Sequence, residues 1–575
     1  MGNEKMLRYT LLAGERALES YAWEEATQHF IRGLEAKGID LNGREPAADA
    51  QAADLLFGLA RAKSAYFSFW ADIGQTVSNL RSAFEYRVAA GDSDRAVEIA
   101  QSPPRLPVGG RSGLMDIMEA ALNIAAPGSS AKGQLWAHYG WVAGVEDADY
   151  PAAERAFREA LEIARDNNDG LLLQRTLAQA AQVDFYHGRN YAAIEKTRQI
   201  LTISAADLDL TTECAARYVY CISANYIGEP ASPQELGAFI NAAERLGNQF
   251  WVHLAYWVSS IVALLRGDWE RARQLANRAV AAAPGAPTIL SSASHIELET
   301  GEFDRAQEIF QKLLGLLAEI PANPSFHFPA VVSVDGRVSW FTGTPREPAL
   351  PAKVADIVMS SPFAIPAFVA VNFVGMAYDA LARGNQEACH LAYDGLASFS
   401  GECIHAIASD RLLGMLSHAI GDVSQGTGHF EDSLAFCAKA GYRPEYAWTC
   451  WGYSAALLDR GNEDDRRRAE GLLAEALQIS TDLGMPPLME RIASLQETMG
   501  AGLQPPPAYP NGLTFREVEV LLLLSQGRTN REIARVLVLS QRTVERHISN
   551  LYTKIAVRNR AEATLFALNQ LAPSE

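Results

Sequence analysis

The sequence lacks any long apolar run. No stretch of about 20 consecutive apolar residues, the length that a membrane-spanning helix needs, occurs in the chain. Residues 1–8 contain no cationic segment that leads into such a run, so they do not resemble a secretory signal. The sequence therefore predicts a cytoplasmic protein that has no membrane partner.

Cysteine is also scarce, since only six occur in 575 residues and none belongs to a Cys-x-x-Cys pair. They are Cys214, Cys221, Cys389, Cys403, Cys437 and Cys450. We expect reduced, buried thiols. His390 and His405 lie close to two of them, but a structural zinc site needs a full ligand set at closer and more regular spacing. No metal site is predicted.

Sequence motifs of catalysis are missing as well. The patterns HExxH, GxSxG and GxxxxGK[ST] do not occur. Residues 128–133, with the sequence GSSAKG, approach the phosphate loop but lack the Gly-Lys-Ser/Thr order. We therefore predict no enzyme, no cofactor and no ATP-driven switch in this chain, although a composite site spread over several segments would leave little trace in one sequence.

Acidic residues outnumber basic ones, and the net charge is −18. The balance is uneven along the chain, because residues 513–565 carry nine Arg or Lys against five Glu, or +4, which leaves −22 for the rest. A cationic segment on an acidic body is the pattern expected when only one end of a protein contacts phosphate. The acidic body itself should be repelled by DNA.

Capping signals divide the carboxyl-terminal segment, residues 513–568, into four short helices. In three of them a Thr or Asn precedes the helix and a Glu follows three residues later, which suits the unpaired N–H groups and the positive dipole at a helix start. These pairs are Thr514 with Glu517, Thr529 with Glu532, and Asn559 with Glu562. Ser540 starts the remaining helix, and Gly527 can end the first one in a left-handed conformation.

Apolar residues recur at helical spacing in the first three helices and predict one small shared core. They are Val520, Leu521, Leu524, Ile533, Ala534, Leu537, Val544, Ile548, Leu551 and Ile555. On the third helix, the residues outside this stripe are polar and mostly cationic: Arg542, Glu545, Arg546, Ser549, Asn550 and Lys554. This layout is that of a helix-turn-helix whose second helix lies in the major groove.

The same segment carries a family resemblance. The positions that match are Leu513, Thr514, Arg516, Glu517, Gly527, Asn530, Glu532, Ile533, Ala534, Ser540, Thr543, Val544, His547, Lys554, Ile555, Val557 and Arg560. Over its whole length the segment resembles the LuxR-type DNA-binding domain of bacterial transcription factors. The resemblance implies double-stranded DNA as a partner and RNA polymerase as a further partner.

The resemblance also implies roles for individual residues. The side chains expected to face base edges are Glu545, Arg546, Ser549 and Asn550. Those expected to hold phosphates are Arg542, Thr543, Lys554 and Arg558. Glu545 departs from the cationic residue common at its position, so it either accepts from a cytosine amino group or pairs with Arg542 or Arg546. Val544 is expected in the core, and His547 contacts either a phosphate or a structural partner.

The fourth helix, expected over residues 560–571, has Leu565 and Leu568 available for a partner. In the LuxR family this helix forms the dimer that matches two half-sites, and a lone module buries little surface. We therefore expect a homodimer on DNA.

The long body contains an internal repeat. Residues 267–272 (GDWERA) and 301–306 (GEFDRA) match at an offset of 34 residues. Small or apolar residues follow both copies at helical spacing, which resembles the second helix of a tetratricopeptide repeat. One helix pair cannot bury its apolar face alone, so we expect roughly a dozen stacked pairs wound as a superhelix with a concave inner surface.

The sequence thus predicts an all-α chain: a tetratricopeptide-like helical-repeat superhelix over residues 1–500, a Pro-rich linker over 501–511, and a small four-helix LuxR-type helix-turn-helix domain over 512–575. Two stretches rich in Pro and Gly, residues 101–113 and 320–351, are expected to interrupt the stacking as loops. Asp335-Gly336 would ordinarily suggest a hairpin over residues 331–340, but the flanking helix pairs favour an irregular helix.

Four tryptophans of the body have two interpretations. Trp136, Trp141, Trp251 and Trp257 either wedge between repeats, which we favour, or line a ligand pocket on the inner surface.

Two functions of different class compete. In the first, the repeats sense a protein or small-molecule effector and control when a DNA-binding transcription regulator reaches its operator. In the second, the chain is a non-enzymatic scaffold whose terminal module docks or dimerises with little DNA affinity. The acidic body and Glu545 keep the second hypothesis open.

Overall fold

The computed structural model describes most of the chain. The described residues are 2–20, 22–39, 47–64, 70–104, 109–204, 208–318, 320, 322, 324–344, 349–460, 463–499, 511, 513, 515–536 and 541–570. Helices dominate this part of the chain, as predicted. Every helix among the described residues is too short or too polar to span a lipid bilayer.

The repeat array is built from helices that precede residue 500. The first group is α1 (Gly2–Glu19), α2 (Trp23–Ala36), α3 (Ala50–Ser64), α4 (Trp70–Ala89), α5 (Ser93–Ala100), α6 (Leu114–Ile124), α7 (Ser130–Val145), α8 (Tyr150–Asp166), α9 (Gly170–Tyr186), α10 (Asn190–Leu201), α11 (Leu210–Tyr226), α12 (Pro233–Leu246) and α13 (Gln249–Arg266). The second group is α14 (Trp269–Ala282), α15 (Pro287–Glu299), α16 (Phe303–Leu317), α17 (His327–Thr342), α18 (Ala349–Met359), α19 (Pro366–Arg383), α20 (Gln386–Leu396), α21 (Ser409–Ile420), α22 (Val423–Ala440), α23 (Arg443–Arg460), α24 (Glu463–Leu483) and α25 (Pro486–Thr498).

The remaining elements are few. A short 3-10 turn, Ala397–Phe399, follows α20, and two strands, β1 (Cys403–Ile404) and β2 (Ile407–Ala408), form an antiparallel hairpin before α21. The carboxyl-terminal domain consists of α26 (Phe515–Ser525), α27 (Asn530–Val536), α28 (Gln541–Lys554) and α29 (Arg560–Gln570). The all-α prediction is confirmed, and the β1–β2 hairpin is an addition that the sequence did not predict.

The chain divides into two compact units, Met1–Ala456 and Leu457–Glu575. The division falls within α23, so the last two helices before the predicted linker are grouped with the carboxyl-terminal domain. The predicted linker itself, residues 501–511, lies outside the described residues except for residue 511.

The repeated motif forms a helix end followed by a helix start. Gly267 has a φ of +80° and ends α13, because a residue without Cβ adopts the left-handed region at no steric cost. Asp268 then caps α14, and its carboxylate accepts from the N–H of Arg271 at 3.1 Å. In the second copy Gly301 repeats the left-handed turn, with a φ of +78°. The motif therefore marks the turn between consecutive helices.

The apolar positions of both repeat copies are buried, as the tetratricopeptide-like spacing predicted. They are Ala272, Ala276 and Ala279 on α14, and Ala306, Phe310 and Leu313 on α16. Each helix thus contributes one apolar stripe to the interior and leaves its charged residues outside.

Residues 327–342 form a regular helix, so the preference for a helix over a hairpin is confirmed. The broader prediction of a loop over residues 320–351 is wrong across α17 and the first turn of α18. The reason is tertiary: Gly336 of α17 lies against Gly375 of α19, and a Cβ at Gly336 would be 2.0 Å from the Gly375 carbonyl oxygen. The described residues of 101–113 lie between α5 and α6 without regular structure, as predicted.

A charged pair lies inside the array. The Arg411 guanidinium donates from Nε and Nη2 to the two Glu445 carboxylate oxygens at 2.9 and 3.0 Å. Arg411 also donates to the Tyr378 hydroxyl at 2.6 Å, and the N–H of Ala408 donates to Glu445 at 2.7 Å. Such a buried pair is tolerated only when further hydrogen bonds satisfy both ions, which is the case here.

The contact between α17 and α19 provides a test of the helical packing. We expect Gly336→Ala to lower the free energy of unfolding by about 1–3 kcal/mol or more, because the new methyl group meets backbone atoms that cannot move aside. Gly237→Ala is the matched control: this glycine lies within α12 with open space around its Cβ position, so the change should stabilise by about 0.5–1 kcal/mol. Thermal or urea unfolding measures both, and equal effects would contradict the close crossing.

Candidate nucleic-acid interface

The starts of the carboxyl-terminal helices follow the predicted capping signals. At α27 the N–H of Glu532 donates to Thr529 Oγ1 at 3.3 Å, and the N–H of Thr529 donates to Glu532 Oε2 at 2.8 Å. At α29 the N–H of Glu562 donates to Asn559 Oδ1 at 3.0 Å. Both pairs are confirmed as caps. Thr514 and Ser540, the other two predicted caps, lie outside the described residues.

The turn after α26 is also as predicted. Gly527 has a φ of +80°, and the N–H of Arg528 returns to the Leu523 carbonyl at 3.2 Å. This left-handed ending reverses the chain within a few residues. It brings α27 back against the helices that share its core.

The four helices have a hydrophobic core of their own. Its buried members are Leu513, Val518, Val520, Leu521, Leu524, Ile533, Ala534, Val544, Leu551, Ile555, Ala563 and Ala567. The predicted stripes are therefore confirmed over the described residues, with Val544 in the core as expected and Ile548 partly buried; Leu537 lies outside the described residues.

Burial of one stripe of α28 leaves its opposite side in solvent. Among the predicted base-facing residues, Glu545, Ser549 and Asn550 are exposed. The side chains of Arg546, Arg542 and Thr543 lie outside the described part of the structure. Arg558, a predicted phosphate contact, is exposed just after α28. We call the side of α28 that carries Glu545, Arg546, Ser549 and Asn550 its outer face.

An ion pair joins α28 to α26, the first helix of the carboxyl-terminal domain. Lys554 Nζ donates to Glu517 Oε2 at 2.8 Å, and Glu517 is only 3% exposed. Lys554 itself keeps 37% of its side chain exposed. Lys554 thus holds α28 against α26 and has further N–H donors that can face solvent. Its assignment as a phosphate contact stays a prediction, now beside a structural role that the sequence did not reveal.

A second cation stabilises the other end of the domain. The Arg560 guanidinium donates to the backbone carbonyls of Arg528 and Leu524, which ties the start of α29 to the turn after α26. Leu565 on α29 is 59% exposed, as a dimer contact requires, whereas the side chain of Leu568 lies outside the described part.

Cavities in the array bear on the two interpretations of the tryptophans. Trp141 lines a cavity of about 280 Å³, together with His138, Gln179 and Arg175. Trp257 lines a smaller, mostly aromatic cavity of about 120 Å³. In contrast, Trp251 is buried, and Trp136 packs edge-on against Tyr139 with ring centroids 5.7 Å apart. Two of the four candidates therefore line cavities and two serve packing.

The cysteines do not add a site. All six are buried thiols. Within the described part of the chain, His, Cys, Asp and Glu side chains form no cluster of three or more that could hold a metal ion.

The pair of Lys554 and Glu517 is testable in a fragment of residues 511–575, which should unfold cooperatively because it has its own core. We expect Lys554→Met to lower its free energy of unfolding by about 1–3 kcal/mol, since a buried carboxylate loses this ion pair. Adding Glu517→Leu should recover most of the loss. Arg558→Ala, which removes an exposed side chain, should change stability by less than about 0.5 kcal/mol.

Urea denaturation measures all four proteins. Non-cooperative unfolding of the unsubstituted fragment would contradict the domain boundary, and equal stability of Lys554→Met and the parent would contradict the structural role of the ion pair.

Comparison with known proteins agrees with this geometry. The family model "GerE: Bacterial regulatory proteins, luxR family" matches residues 511–567. No curated protein matches the chain. Among solved structures, the chain is similar to one titled "Crystal structure of APC/C hetero-tetramer Cut9-Hcn1", with a TM-score of 0.36, 14% identity, and coverage of 84% of this chain and 96% of that one.

A second similar structure is yeast Tom70, with a TM-score of 0.34, 11% identity, and coverage of 82% of this chain and 99% of that one. Both TM-scores are low, so the description of the array rests on the chain's own helices and on its internal repeat. The carboxyl-terminal assignment has the stronger basis, because the family match, the caps and the separate core coincide. Residues 511–567 form a LuxR-family helix-turn-helix domain, and this domain supports a role in transcription regulation.

Proposed function

We propose that the chain is a bacterial transcription regulator that binds operator DNA through the outer face of α28. The observation that carries the proposal is the LuxR-family match over residues 511–567, together with the solvent-exposed Glu545, Ser549 and Asn550 on a helix whose other side is buried. A helix held in this way can enter the major groove, where each base pair presents a distinct set of donors and acceptors.

Different residues in and after α28 would make the base contacts and the phosphate contacts. Glu545, Arg546, Ser549 and Asn550 would face base edges, and the Glu545 carboxylate suits the amino group of cytosine. The phosphate contacts would be Arg542, Thr543, Lys554 and Arg558. The +4 charge of residues 513–565 supports the phosphate contacts, since attraction to phosphate supplies most of the sequence-independent affinity.

The array, residues 1–500, would control access to DNA by binding a protein or a small effector, with RNA polymerase as a further partner of the DNA-bound chain. Helical repeats suit this role because they present extended surfaces to partners. Residues 501–511 would then serve as a Pro-rich spacer between the array and the DNA-binding domain, residues 512–575.

A scaffold with little DNA affinity is the second candidate. It is favoured by the −22 charge outside residues 513–565, which opposes approach to a polyanion, and by the acidic Glu545 on the outer face. In that case the terminal domain would dock or dimerise without reading a sequence.

A gel-shift series with the full chain, genomic fragments and increasing salt separates the two functions. The regulator should lose affinity steeply with salt, and Arg558→Ala should weaken binding uniformly across fragments and reduce the salt slope by about 1. Arg558 is a cleaner probe than Lys554, whose loss also disturbs Glu517.

The matched control for this series is Arg165→Ala, which removes an exposed arginine of α8 in the array. It should leave both affinity and slope unchanged. Absent or salt-independent binding of the parent chain would favour the scaffold.

Dimerisation on DNA gives a further prediction. Leu565→Arg should reduce affinity for a two-half-site operator at least about tenfold and leave binding to a single half-site unchanged, because it places a charge in the proposed contact between two copies of α29. Leu522→Arg, at another exposed leucine of the same domain, is the control. If Leu565→Arg bound the operator as tightly as the parent and Leu522→Arg do, this result would contradict dimerisation through α29.

A further inference from the structure

The cavity of about 280 Å³ that Trp141 lines lies within the first compact unit. Its wall is formed by α7, α9, the start of α11 and residues 101–104, which follow α5. We call it the α9 cavity. An apolar cavity of about 150 Å³ holds one benzene molecule, so in proportion the α9 cavity has room for a molecule of about ten non-hydrogen atoms.

Polar side chains line the α9 cavity in two rows, one on α7 and one on α9. Within each row the residues follow the spacing i, i+4 and i+7, which places them on one face of the helix. The rows are Gln134, His138 and Trp141 on α7, and Arg175, Gln179 and Gln182 on α9. Because α7 packs against α9, the two rows lie side by side along the cavity.

Hydrogen bonds between side chains hold the two rows and the segment 101–104 together. His138 Nδ1 lies 2.9 Å from Gln179 Nε2, and an amide nitrogen can only donate, so Nδ1 accepts. His138 therefore carries its single ring proton on Nε2, which donates to the Gln101 carbonyl at 3.1 Å. Gln101 Nε2 in turn donates to Gln134 Oε1 at 2.5 Å. This part of the wall is thus fixed without a ligand.

One end of the α9 cavity carries a loose ion pair. Arg175 and Asp209 are the formally charged side chains among the described lining residues. Arg175 Nη2 lies 3.7 Å from Asp209 Oδ1, which is longer than a hydrogen bond, and the two side chains are 46% and 27% exposed. The other carboxylate oxygen, Oδ2, accepts from the N–H and the hydroxyl of Thr212 at 3.1 and 2.7 Å. A ligand can therefore reach the guanidinium and Oδ1.

The other end of the α9 cavity offers uncharged polar groups. Gln182 lies two helical turns beyond Arg175, about 10.5 Å along the helix axis. Neither the Gln182 amide nor the Trp141 indole N–H has a hydrogen-bond partner among the described residues. Both side chains are half-buried, and their polar atoms keep accessible surface. The amide supplies a donor and an acceptor, and the indole supplies a second donor.

The charges decide which ligand the first end accepts. A ligand with a single negative charge would meet Arg175 but also Asp209, and a cation would meet the reverse. A zwitterion avoids this conflict when its two charges lie close together, because its carboxylate faces Arg175 while its ammonium faces Asp209. An α-amino acid carries both groups on one carbon atom.

The Gln182 amide selects the side chain at the second end. Another amide matches it best, because an amide returns one donor and one acceptor, and its carbonyl can also accept from Trp141. Glutamine has ten non-hydrogen atoms, and a hydrogen bond of about 3 Å at each end lets it extend over the distance from Arg175 to Gln182.

We propose that the α9 cavity binds a free α-amino acid whose side chain ends in an amide, with L-glutamine as its best match. The carboxylate pairs with Arg175, the ammonium donates to Asp209 Oδ1, and the side-chain amide pairs with Gln182. If this amino acid also changes the affinity for DNA, it is the effector of the regulator; that link rests on the proposed function, whereas the binding itself does not.

Calorimetry on the full chain tests the proposal with L-glutamine, 4-carbamoylbutanoate and L-glutamate. The second compound is glutamine without its ammonium group, and the third has a carboxylate in place of the amide. We expect one L-glutamine per chain, bound at least about tenfold more tightly than either analogue. The butanoate leaves Asp209 without an ammonium, and L-glutamate brings a second negative charge without a second cation among the described lining residues.

Asp209→Asn locates the charged end. Asparagine caps a helix as well as aspartate does, so the start of α11 should be kept. The affinity for L-glutamine should fall at least about tenfold, whereas the affinity for 4-carbamoylbutanoate should stay or rise, because the removed charge opposed that anion. Asp268→Asn, the same change at the cap of α14, is the matched control and should leave both affinities unchanged.

Gln182→Leu locates the amide end. It should weaken L-glutamine about tenfold and leave L-norvaline, which has a methyl group in place of the amide, no weaker than before. A structural defect would instead weaken both amino acids alike.

No binding of L-glutamine, an analogue bound as tightly, or equal losses for both ligands in Asp209→Asn would each overturn the proposal. Unchanged glutamine affinity in that variant would overturn it as well. A gel shift on the same protein separates this failure from that of the proposed function, because DNA binding without glutamine binding contradicts only the cavity ligand.

Discussion

The direction in which α28 points is set by the burial of Val544, Leu551 and Ile555 in a core that belongs to the carboxyl-terminal domain alone. Once that stripe is buried, helical periodicity turns Glu545, Ser549 and Asn550 outward. The ion pair of Lys554 with Glu517 and the carbonyl contacts of Arg560 then hold the ends of the domain. The set of polar side chains that α28 presents to solvent is therefore a consequence of packing on the opposite side of one helix.

The array follows the same physical rule on a larger scale. Helices such as α14 and α16 bury one stripe, and close crossings such as Gly336 on Gly375 let neighbouring backbones approach where side chains would keep them apart. Polar groups that enter this interior divide into two kinds. Arg411 and Glu445 satisfy each other and their surroundings, which makes them part of the scaffold. His327 and His405 instead keep ring nitrogens that have no hydrogen-bond partner among the described residues.

Local sequence signals predicted the features that depend on neighbours in the chain. The caps at Thr529 and Asn559, the left-handed turn at Gly527 and the buried stripe of α28 all arise within one or two helical turns. Resemblance to the LuxR family added the identity of the outer face, which periodicity alone does not supply.

Features that depend on distant contacts were not predictable in this way. Glu517 was interpreted as a capping carboxylate, because nothing near it in sequence reveals Lys554 as its partner. Asp335-Gly336 gives a local hairpin signal, and only the flanking helix pairs favoured the helix that forms there. The contact with α19, which packs this helix, has no signal near it in the sequence. The real hairpin has His405-Ala406 at its turn and lacks the usual turn residues, so it left no signal.

Chemical probing of a bound operator tests the central claim most directly. Dimethyl sulfate methylates guanine N7 in the major groove and adenine N3 in the minor groove, so it reports which groove a protein covers. With the full chain on fragments selected by binding, the account predicts guanine protection in two patches about 10 base pairs apart, as two copies of α28 in successive major grooves require. Protection of adenine N3 alone, or no protected fragment even at low salt, would contradict it.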